Sequence, residues 1–303
     1  MYGFRTKLAK RQKETSSLVC VGLDPLPEKM PKSIKKRFWL RQEWKAVAQW
    51  MIDIVDATAP YACMFKPQRA HYEAFRDGRK ILTAIIDYIH EFHPDIPVFL
   101  DCKRGDIGRT QQRYRIAQFD IDGAEGINFN PYMGEGCMQS LVDEKNPGRA
   151  IVGLCYTSNP SARQVQDVKL ESEELYWEFM AQNILNWAEE LGITDDAGLV
   201  MAAAHEKPKG SGKIYSHHLS RVREIVGDKL WFLIPGIGIP GIGTQGSFIE
   251  ETVKTAYSGP GTIAINSSSG IIFASSGDDY AEAAGKEAQK LSSQIIGSVR
   301  STK

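Results

Sequence analysis

Eight short apolar runs recur along the chain, and the segments between them are long enough for helices. Each run is four to six residues long and mostly apolar, which is typical of parallel strands covered on both faces. The runs are Leu18–Gly22, Ala62–Phe65, Pro97–Leu100, Gly126–Phe129, Ala150–Cys155, Leu199–Ala203, Leu230–Ile234 and Thr262–Ile265. This repeated alternation of strand and helix signals predicts an α/β fold.

Three of the intervening segments have apolar residues at helical spacing: Phe38–Ala57, Ile81–Phe92 and Leu175–Leu191. Eight strand–helix units in 303 residues match a (β/α)8 TIM barrel, so we expect one domain over residues 1–303. Residues 1–16 form a helical or extended N-terminal segment in this interpretation. The competing architecture is a doubly wound open sheet, but no G-x-G-x-x-G follows the first run.

The charge balance gives no indication of a nucleic acid or an anionic membrane as partner, because the 37 basic residues equal the 37 acidic ones. The most apolar segment, Leu230 to Gly243, is broken by two prolines and cannot form a membrane helix. Met1–Ser17 is charged throughout, unlike a signal peptide. Five cysteines without C-x-x-C spacing indicate buried free thiols in a reducing compartment. We therefore expect a soluble, cytoplasmic protein.

Charged residues follow the first three apolar runs. The third run leads into Asp101 and Lys103. Because side chains alternate along a strand, these two should point to the same side and Cys102 to the opposite side. The D-x-K-x-x-D pattern completed by Asp106 is weak evidence alone. Lys66 follows the second run, and Asp24 follows the first. Because the carboxyl ends of barrel strands line the active-site mouth, these residues together favour a site there.

Three other strand exits offer hydroxyls, amides and accessible backbone N–H groups. These are Thr157–Asn159, the duplicated Pro-Gly-Ile-Gly at 235–238 and 240–243 with Gln245, and Asn266–Gly270. Glycine-rich loops after the last two strands of a barrel are a usual place for a phosphate. The polar segments Asn159–Glu173 and 204–216 are candidate lids over such a site.

The residue pattern shows no constellation of metal ligands. Two histidine pairs, His90/His93 and His217/His218, lack an obvious carboxylate or cysteine partner at ligand spacing and are expected at the surface. Asp101 and Asp106 have the chemistry to bind Mg²⁺, but the intervening lysine competes for them. Walker A, G-x-S-x-G and H-E-x-x-H motifs do not occur.

As an ordered set, the motifs from about residue 18 to 275 resemble the orotidine 5′-phosphate decarboxylase family, in its longer bacterial subgroup. The resemblance rests on Asp101-Cys-Lys-Arg-Gly-Asp-Ile-Gly, Leu18-Val-Cys-Val-Gly-Leu-Asp-Pro, Phe65-Lys-Pro-Gln, Asn130-Pro-Tyr-Met-Gly, Thr157-Ser-Asn-Pro and the Pro-Gly-Ile-Gly region with Gln245-Gly. It implies a homodimeric TIM barrel that converts orotidine 5′-phosphate to UMP and CO₂ without a cofactor.

By this similarity, Lys66, Asp101, Lys103 and Asp106 form a charged catalytic array, and Lys103 donates the proton. Asp106 would enter the neighbouring subunit's site with Ile107 and Thr110. The remaining substrate-binding candidates are Asp24 for the ribose, Ser158 for the pyrimidine, and Gly236, Gly238, Gln245 and Ser269 for the base and phosphate.

The chain departs from the family in the phosphate region. The family usually has an arginine after the eighth strand, where this chain has Ser269, so a bidentate phosphate partner is missing. The sixth strand exits through Ala202-Ala203-Ala204 in place of a Gly-Ala-Thr-like sequence. The duplication inserts about five residues before Gln245. We expect a lysine at 207, 209 or 213, or backbone N–H groups alone, to replace the arginine.

Two rival functions remain open at this stage. One is a Mg²⁺-dependent phosphosugar decarboxylase or aldolase of the same barrel superfamily, which would share D-x-K-x-x-D. The other is a nucleotide-binding barrel without catalytic activity. The complete Lys66, Asp101, Lys103 and Asp106 set argues against the second, while Ser269 leaves it open.

Overall fold

The eight predicted strands form one parallel sheet in a computed structural model that describes residues 3–37, 42–206, 211, 213–235 and 245–301. In chain order the barrel strands are β1 (Val19–Leu23), β2 (Ala62–Pro67), β3 (Phe99–Arg104), β4 (Gly126–Phe129), β5 (Ala150–Tyr156), β6 (Ala197–Met201), β9 (Trp231–Ile234) and β10 (Ile263–Ser267). A small antiparallel hairpin, β7 (His205–Glu206) with β8 (Ile214–Tyr215), follows β6.

Strand pairing produces a ring. The order is β2-β1-β10-β9-β6-β5-β4-β3, so the first and last barrel strands are neighbours. Isolated parallel bridges, Phe65 to Val98 and Gln68 to Asp101, join β2 to β3 and complete the circle. The doubly wound open sheet is therefore excluded, and the predicted (β/α)8 barrel is confirmed.

Helices follow the strands as the apolar periodicity predicted. The longer helices are α1 (Phe4–Thr15), α3 (Glu43–Thr58), α5 (Gly78–Phe92), α6 (Gly108–Arg115), α9 (Tyr176–Glu190), α10 (His217–Val226), α11 (Gln245–Ala256) and α13 (Tyr280–Ser301). The short ones are α2 (Lys32–Arg37), α4 (Arg69–Glu73), α7 (Gly136–Gln139), α8 (Arg163–Gln166) and α12 (Ser269–Ile272), and a π-helical turn (Ile116–Ile121) extends α6.

Two apolar clusters stabilise the barrel. The larger lies between the strands and the helices, and includes Trp50 and Trp177. The smaller fills the barrel interior and takes residues from seven strands together with Phe4 and Leu8 of α1. Helix α1 therefore covers the amino end of the barrel, and the carboxyl end remains for the site.

Candidate active site

Three of the predicted charged side chains meet at the carboxyl ends of β2 and β3. Lys66 Nζ lies 2.9 Å from Asp101 Oδ2, and Lys103 Nζ contacts Asp101 Oδ1. Lys66 and Asp101 are buried, at 3% and 8% exposure. The Lys103 side chain is 44% exposed, so it is the member of the array that faces an incoming ligand.

Mutual attraction keeps this buried pair charged. Burial by itself raises the pKa of Asp101, but the Lys66 and Lys103 charges and hydrogen bonds from Lys103 and Asn128 lower it to well below the ordinary value. Burial lowers the pKa of Lys66, while Asp101 and Asp24 raise it, and the net effect is a pKa well above the ordinary value. The array therefore carries fixed charges at neutral pH.

The exit of β1 is tied to the exit of β2. Asp24 Oδ1 accepts a hydrogen bond from the Gln68 backbone N–H at 3.1 Å. The buried Tyr72 hydroxyl donates to the Leu23 carbonyl at 2.7 Å. Asp24 thus lies beside the array, as the sequence predicted for the ends of three successive strands.

The β3 strand is longer and less regular than the apolar run predicted. It continues through the charged residues to Arg104, and its register against β4 shifts between Leu100 and Arg104. Lys103 adopts a left-handed backbone conformation, with φ of 47°. A non-glycine residue rarely occupies this region, and such outliers are concentrated at functional sites.

The turn after β3 requires its glycines. A Cβ on Gly105 would lie 2.8 Å from the Asn130 carbonyl oxygen, and Gly108 has φ of 53°. The glycines thus let the chain leave β3 tightly and enter α6.

Asn128 is a buried polar residue in contact with the charged array, and the sequence patterns did not indicate it. It lies on β4, is 1% exposed, and donates a 2.7 Å hydrogen bond from Nδ2 to Asp101 Oδ1. A signal was available, since Asn128 is the polar residue within the otherwise apolar run Gly126–Phe129. A buried amide in such a strand needs polar partners.

Asp106, Ile107 and Thr110 lie apart from the array within this chain. The Asp106 carboxylate accepts the Ile107 backbone N–H at 2.8 Å, and among the described residues it forms no ion pair. Ile107 is 49% exposed, and Thr110 lies exposed in the first turn of α6. The single chain brings together the other three charged residues only.

The polar strand exits lie at the same end of the barrel. Ser158, after β5, and Ser269, which begins α12, are both exposed. Thr157 Oγ1 and Gln166 are hydrogen-bonded to each other across the loop after β5. Gly236 and Gly238 lie outside the described residues, as do Lys207 and Lys209, while Lys213 is exposed and Gln245 begins α11.

The expectation of surface histidines was wrong in part. His218 is fully buried, and its Nε2 lies 2.8 Å from the Ala202 carbonyl oxygen at the exit of β6. His93 Nε2 lies 2.8 Å from Asp56, a carboxylate partner that sequence spacing did not reveal. Both contacts join residues from different elements.

All five cysteines are buried and free, as predicted. Across the described residues, the structure contains no cluster of three or more His, Cys, Asp or Glu side chains arranged for a metal ion. Among the described helices, none has the length and apolar character needed to cross a membrane.

A closed parallel barrel with charged side chains gathered at the carboxyl ends of its strands is the architecture of the (β/α)8-barrel enzymes. The profile of the family described as "Orotidine 5'-phosphate decarboxylase / HUMPS family" matches residues 17–285. The chain therefore belongs to this family.

Proteins of similar sequence align with nearly the whole chain. The orotidine 5'-phosphate decarboxylase of Cupriavidus necator is 39% identical, over 93% of this chain and 93% of that protein. The enzyme of the same name from Azoarcus sp. is 37% identical over 93% and 94% of the two chains. The solved structure of Leishmania donovani OMP decarboxylase superposes with a TM-score of 0.72 at 26% identity, covering 97% of this chain and 98% of that one.

Proposed function

We propose that this chain converts orotidine 5′-phosphate to UMP and CO₂, the last step of UMP biosynthesis, through the charged array at the ends of β2 and β3. The activity follows from family membership and from relatives of that name at 37% and 39% identity. The observation that carries the mechanism is the contact of one carboxylate, Asp101, with two lysine ammonium groups.

Lys103 acts as the proton donor. Cleavage of the bond between C6 and the carboxylate releases CO₂ and leaves the electron pair at C6 of the pyrimidine. A fixed ammonium beside C6 stabilises this charge as it develops, and a proton from Lys103 Nζ then forms the C6–H bond of UMP. Solvent restores the proton, which the 44% exposure of the Lys103 side chain permits.

Asp101 and Lys66 hold Lys103 in place. Asp101 uses one carboxylate oxygen for each lysine, so the Lys103 ammonium has a fixed position before substrate binds. Preorganised charge costs little reorganisation during the reaction, which is the main source of electrostatic catalysis. The Asp101 carboxylate would also repel the carboxylate of the bound substrate.

The remaining predicted residues bind the substrate. Asp24 and Lys66 contact the ribose hydroxyls, and Ser158 contacts the pyrimidine. The loops after β9 and β10, with Gly236, Gly238, Gln245 and Ser269, hold the base and the phosphate. Phosphate binding far from C6 drives closure of these loops, so that its binding energy serves the chemical step.

The complete site requires two subunits. The exposed Ile107 and Thr110, together with an Asp106 carboxylate that pairs with no cation among the described residues, support entry of this segment into a neighbouring site. The working form is then a cytoplasmic homodimer of single-domain barrels over residues 1–303, and each subunit completes its partner's array. The reaction uses neither metal nor organic cofactor.

Loss of orotidine 5′-phosphate absorbance tests the activity. With a metal chelator present, we expect full turnover by the parent and a decrease of about 10³-fold or more in kcat/KM for Lys103→Ala, with a folded protein in both cases. Turnover that requires Mg²⁺ would support a phosphosugar decarboxylase or aldolase. Binding of a UMP analogue without turnover would support a non-catalytic barrel.

Mixed dimers test the shared site. Lys103→Ala and Asp106→Ala are each inactive as homodimers, but a heterodimer of the two has one site with both residues intact. Random reassortment should therefore restore about a quarter of the parent activity. No recovery, in a mixture shown by mass spectrometry to contain heterodimers, would place Asp106 in its own subunit's site. An active Asp106→Ala homodimer would place Asp106 outside the site.

A further inference from the structure

The segment that carries Asp101 and Lys103 does not pair regularly with β4. Leu100 is opposite Ile127 and Arg104 is opposite Phe129, so three residues of β3 are opposite Asn128 alone. A bulge of this kind leaves backbone N–H groups that the strand ladder cannot satisfy. The positive φ of Lys103 adds backbone strain to this segment. Some other group must hold this conformation.

The Asn128 side chain supplies the missing partners. Its Oδ1 accepts hydrogen bonds from the backbone N–H of Cys102 at 2.9 Å and of Lys103 at 2.8 Å. Its Nδ2 donates to Asp101 Oδ1 at 2.7 Å. An amide carries both an acceptor and donors, so one side chain can accept from the backbone N–H groups of the bulge and also orient the Asp101 carboxylate. With the amide rotated by 180°, Nδ2 would face the backbone N–H groups of Cys102 and Lys103, and Oδ1 would face the Asp101 carboxylate.

Asn128 therefore acts on the two lysines through Asp101. The Asp101 oxygen that receives the Asn128 hydrogen bond also contacts Lys103 Nζ, and the second oxygen lies 2.9 Å from Lys66 Nζ. Rotation of the carboxylate would break both lysine contacts. Asn128 resists this rotation and also fixes the backbone from which the Lys103 side chain projects.

We propose that Asn128 is a positioning residue for decarboxylation, and that it holds Asp101 and the left-handed Lys103 backbone in the geometry that places the Lys103 ammonium at the reacting carbon. This inference rests on the proposed function for its kinetic consequence. Its structural consequence, the dependence of the Lys103 conformation on Asn128, is independent of any substrate.

Asn128→Asp separates the two halves of the role. The new side chain keeps an acceptor for the Cys102 and Lys103 N–H groups, but it sets a second carboxylate against Asp101. We expect kcat to fall about 100-fold at pH 8 with a much smaller change in KM. The two carboxylates raise the pKa of the pair, so lower pH returns a proton that can serve as the missing donor. The kcat of the variant should therefore rise relative to the parent as pH falls from about 8 to about 5.

Gln12→Glu is the matched control. Gln12 is a buried amide at the amino end of the barrel, where Nε2 donates to the Ile263 carbonyl at 2.8 Å and Oε1 accepts from Gly261 N at 2.7 Å. This variant should lose thermal stability while its folded form keeps the parent kcat and pH profile. Equal kinetic effects in the two variants would mean that Asn128 has a structural role only.

A crystal structure of Asn128→Ala gives a test without substrate. We expect Lys103 to leave the left-handed region and Asp101 to lose at least one lysine contact. A variant with the parent φ at residue 103 and both contacts intact would overturn the inference, whatever the activity of the protein. If Asn128→Asp does not fold, Asn128→Ser replaces it, because its hydroxyl is too short to bridge these groups. A folded Asn128→Ser with kcat within about threefold of the parent would also overturn the inference.

An inactive parent would instead contradict the proposed function. In that case the crystal structure of Asn128→Ala alone decides whether Asn128 controls the Lys103 backbone.

Discussion

The two ends of the barrel differ in how they use free energy. At the amino end, the Phe4 ring stacks on Trp231 at a centroid distance of 5.6 Å and meets Phe99 edge-on at 6.1 Å. At the carboxyl end, the barrel instead buries Lys66 and Asp101 and holds Lys103 in a left-handed conformation. The first end stabilises the fold through apolar packing, and the second uses part of that stability to hold charges in place.

Polar groups at the amino end form hydrogen bonds that attach α1 to the barrel. Arg5 Nε donates to the Gly261 carbonyl at 2.9 Å, and Gln12 joins α1 to the end of the barrel through the Gly261 N–H and the Ile263 carbonyl. These hydrogen bonds join backbone groups of the barrel to one amide and one arginine of α1. Substitutions at the two ends should therefore have separable effects on stability and turnover.

The largest effect is expected for Asp101→Leu. This change leaves the buried Lys66 charge without its carboxylate, so we expect a loss of about 3–5 kcal/mol in the free energy of unfolding, together with loss of turnover. Adding Lys66→Met removes the isolated charge and should restore most of the stability but none of the activity. Denaturant unfolding and the decarboxylation assay measure both. A double variant as unstable as the single one would show that the isolated charge is not the cause.

Phe4→Ala should produce the opposite pattern. The ring is 2% exposed and lies between α1 and the barrel interior, so its removal should cost about 3 kcal/mol of stability. The kcat of the folded enzyme should stay at the parent value, because the array is at the other end. A kcat decrease of more than about tenfold in fully folded protein would show that the two ends are energetically coupled.

An intermediate effect is expected for replacement of Lys207, Lys209 and Lys213 by alanine together. If one of these lysines replaces the missing phosphate arginine, KM should rise about 10- to 100-fold, with little change in thermal stability. Lys10→Ala is the matched control, because the Lys10 side chain is exposed on α1 at the amino end of the barrel. It should leave KM unchanged. An unchanged KM in the triple variant would leave the backbone N–H groups as the phosphate ligands.

The smallest effect concerns pH. The lowered pKa of Asp101 means that its stabilising contribution is complete above the unfolded pKa of about 4 and is lost as pH falls through the folded value. The raised pKa of Lys66 means that its contribution is complete below about 10.4 and is lost as pH rises through the folded value.

The stability difference between the parent and Lys66→Met/Asp101→Leu should therefore stay constant, within about 0.5 kcal/mol, from about pH 5 to 9. Urea unfolding across this range measures it. A difference that changes steadily near neutral pH would mean that one member of the pair titrates there.

Local sequence patterns were sufficient for the barrel. Runs such as Gly126–Phe129 and Ala150–Cys155 coincide with β4 and β5 to within one residue, because a strand buried on both faces must be apolar throughout. The amphipathic segments predicted α5 and α9 for the same local reason. The spacing of Asp101 and Lys103 likewise predicted that their side chains would point to the same side, and in the structure the two side chains are in contact.

The reason for that contact was not predicted. Regular alternation of side chains along β3 would have placed Asp101 and Lys103 on the same side. The structure instead has a bulge, a left-handed Lys103 backbone and an amide side chain from β4. Asn128 lies 27 residues from Asp101 in sequence, so only the register between β3 and β4 brings the two side chains together. The burial of His218 against Ala202 depends in the same way on how α10 packs.

Patterns a few residues long were enough to predict the closed parallel barrel, the strand ends that carry charge and the family of the chain. Tertiary structure alone decided which groups satisfy the bulge, how Asp101 divides its oxygens between two lysines, and which end of the barrel is packed for stability. These depend on contacts between residues distant in sequence, whose geometry is fixed only when the strands pair and the ring closes.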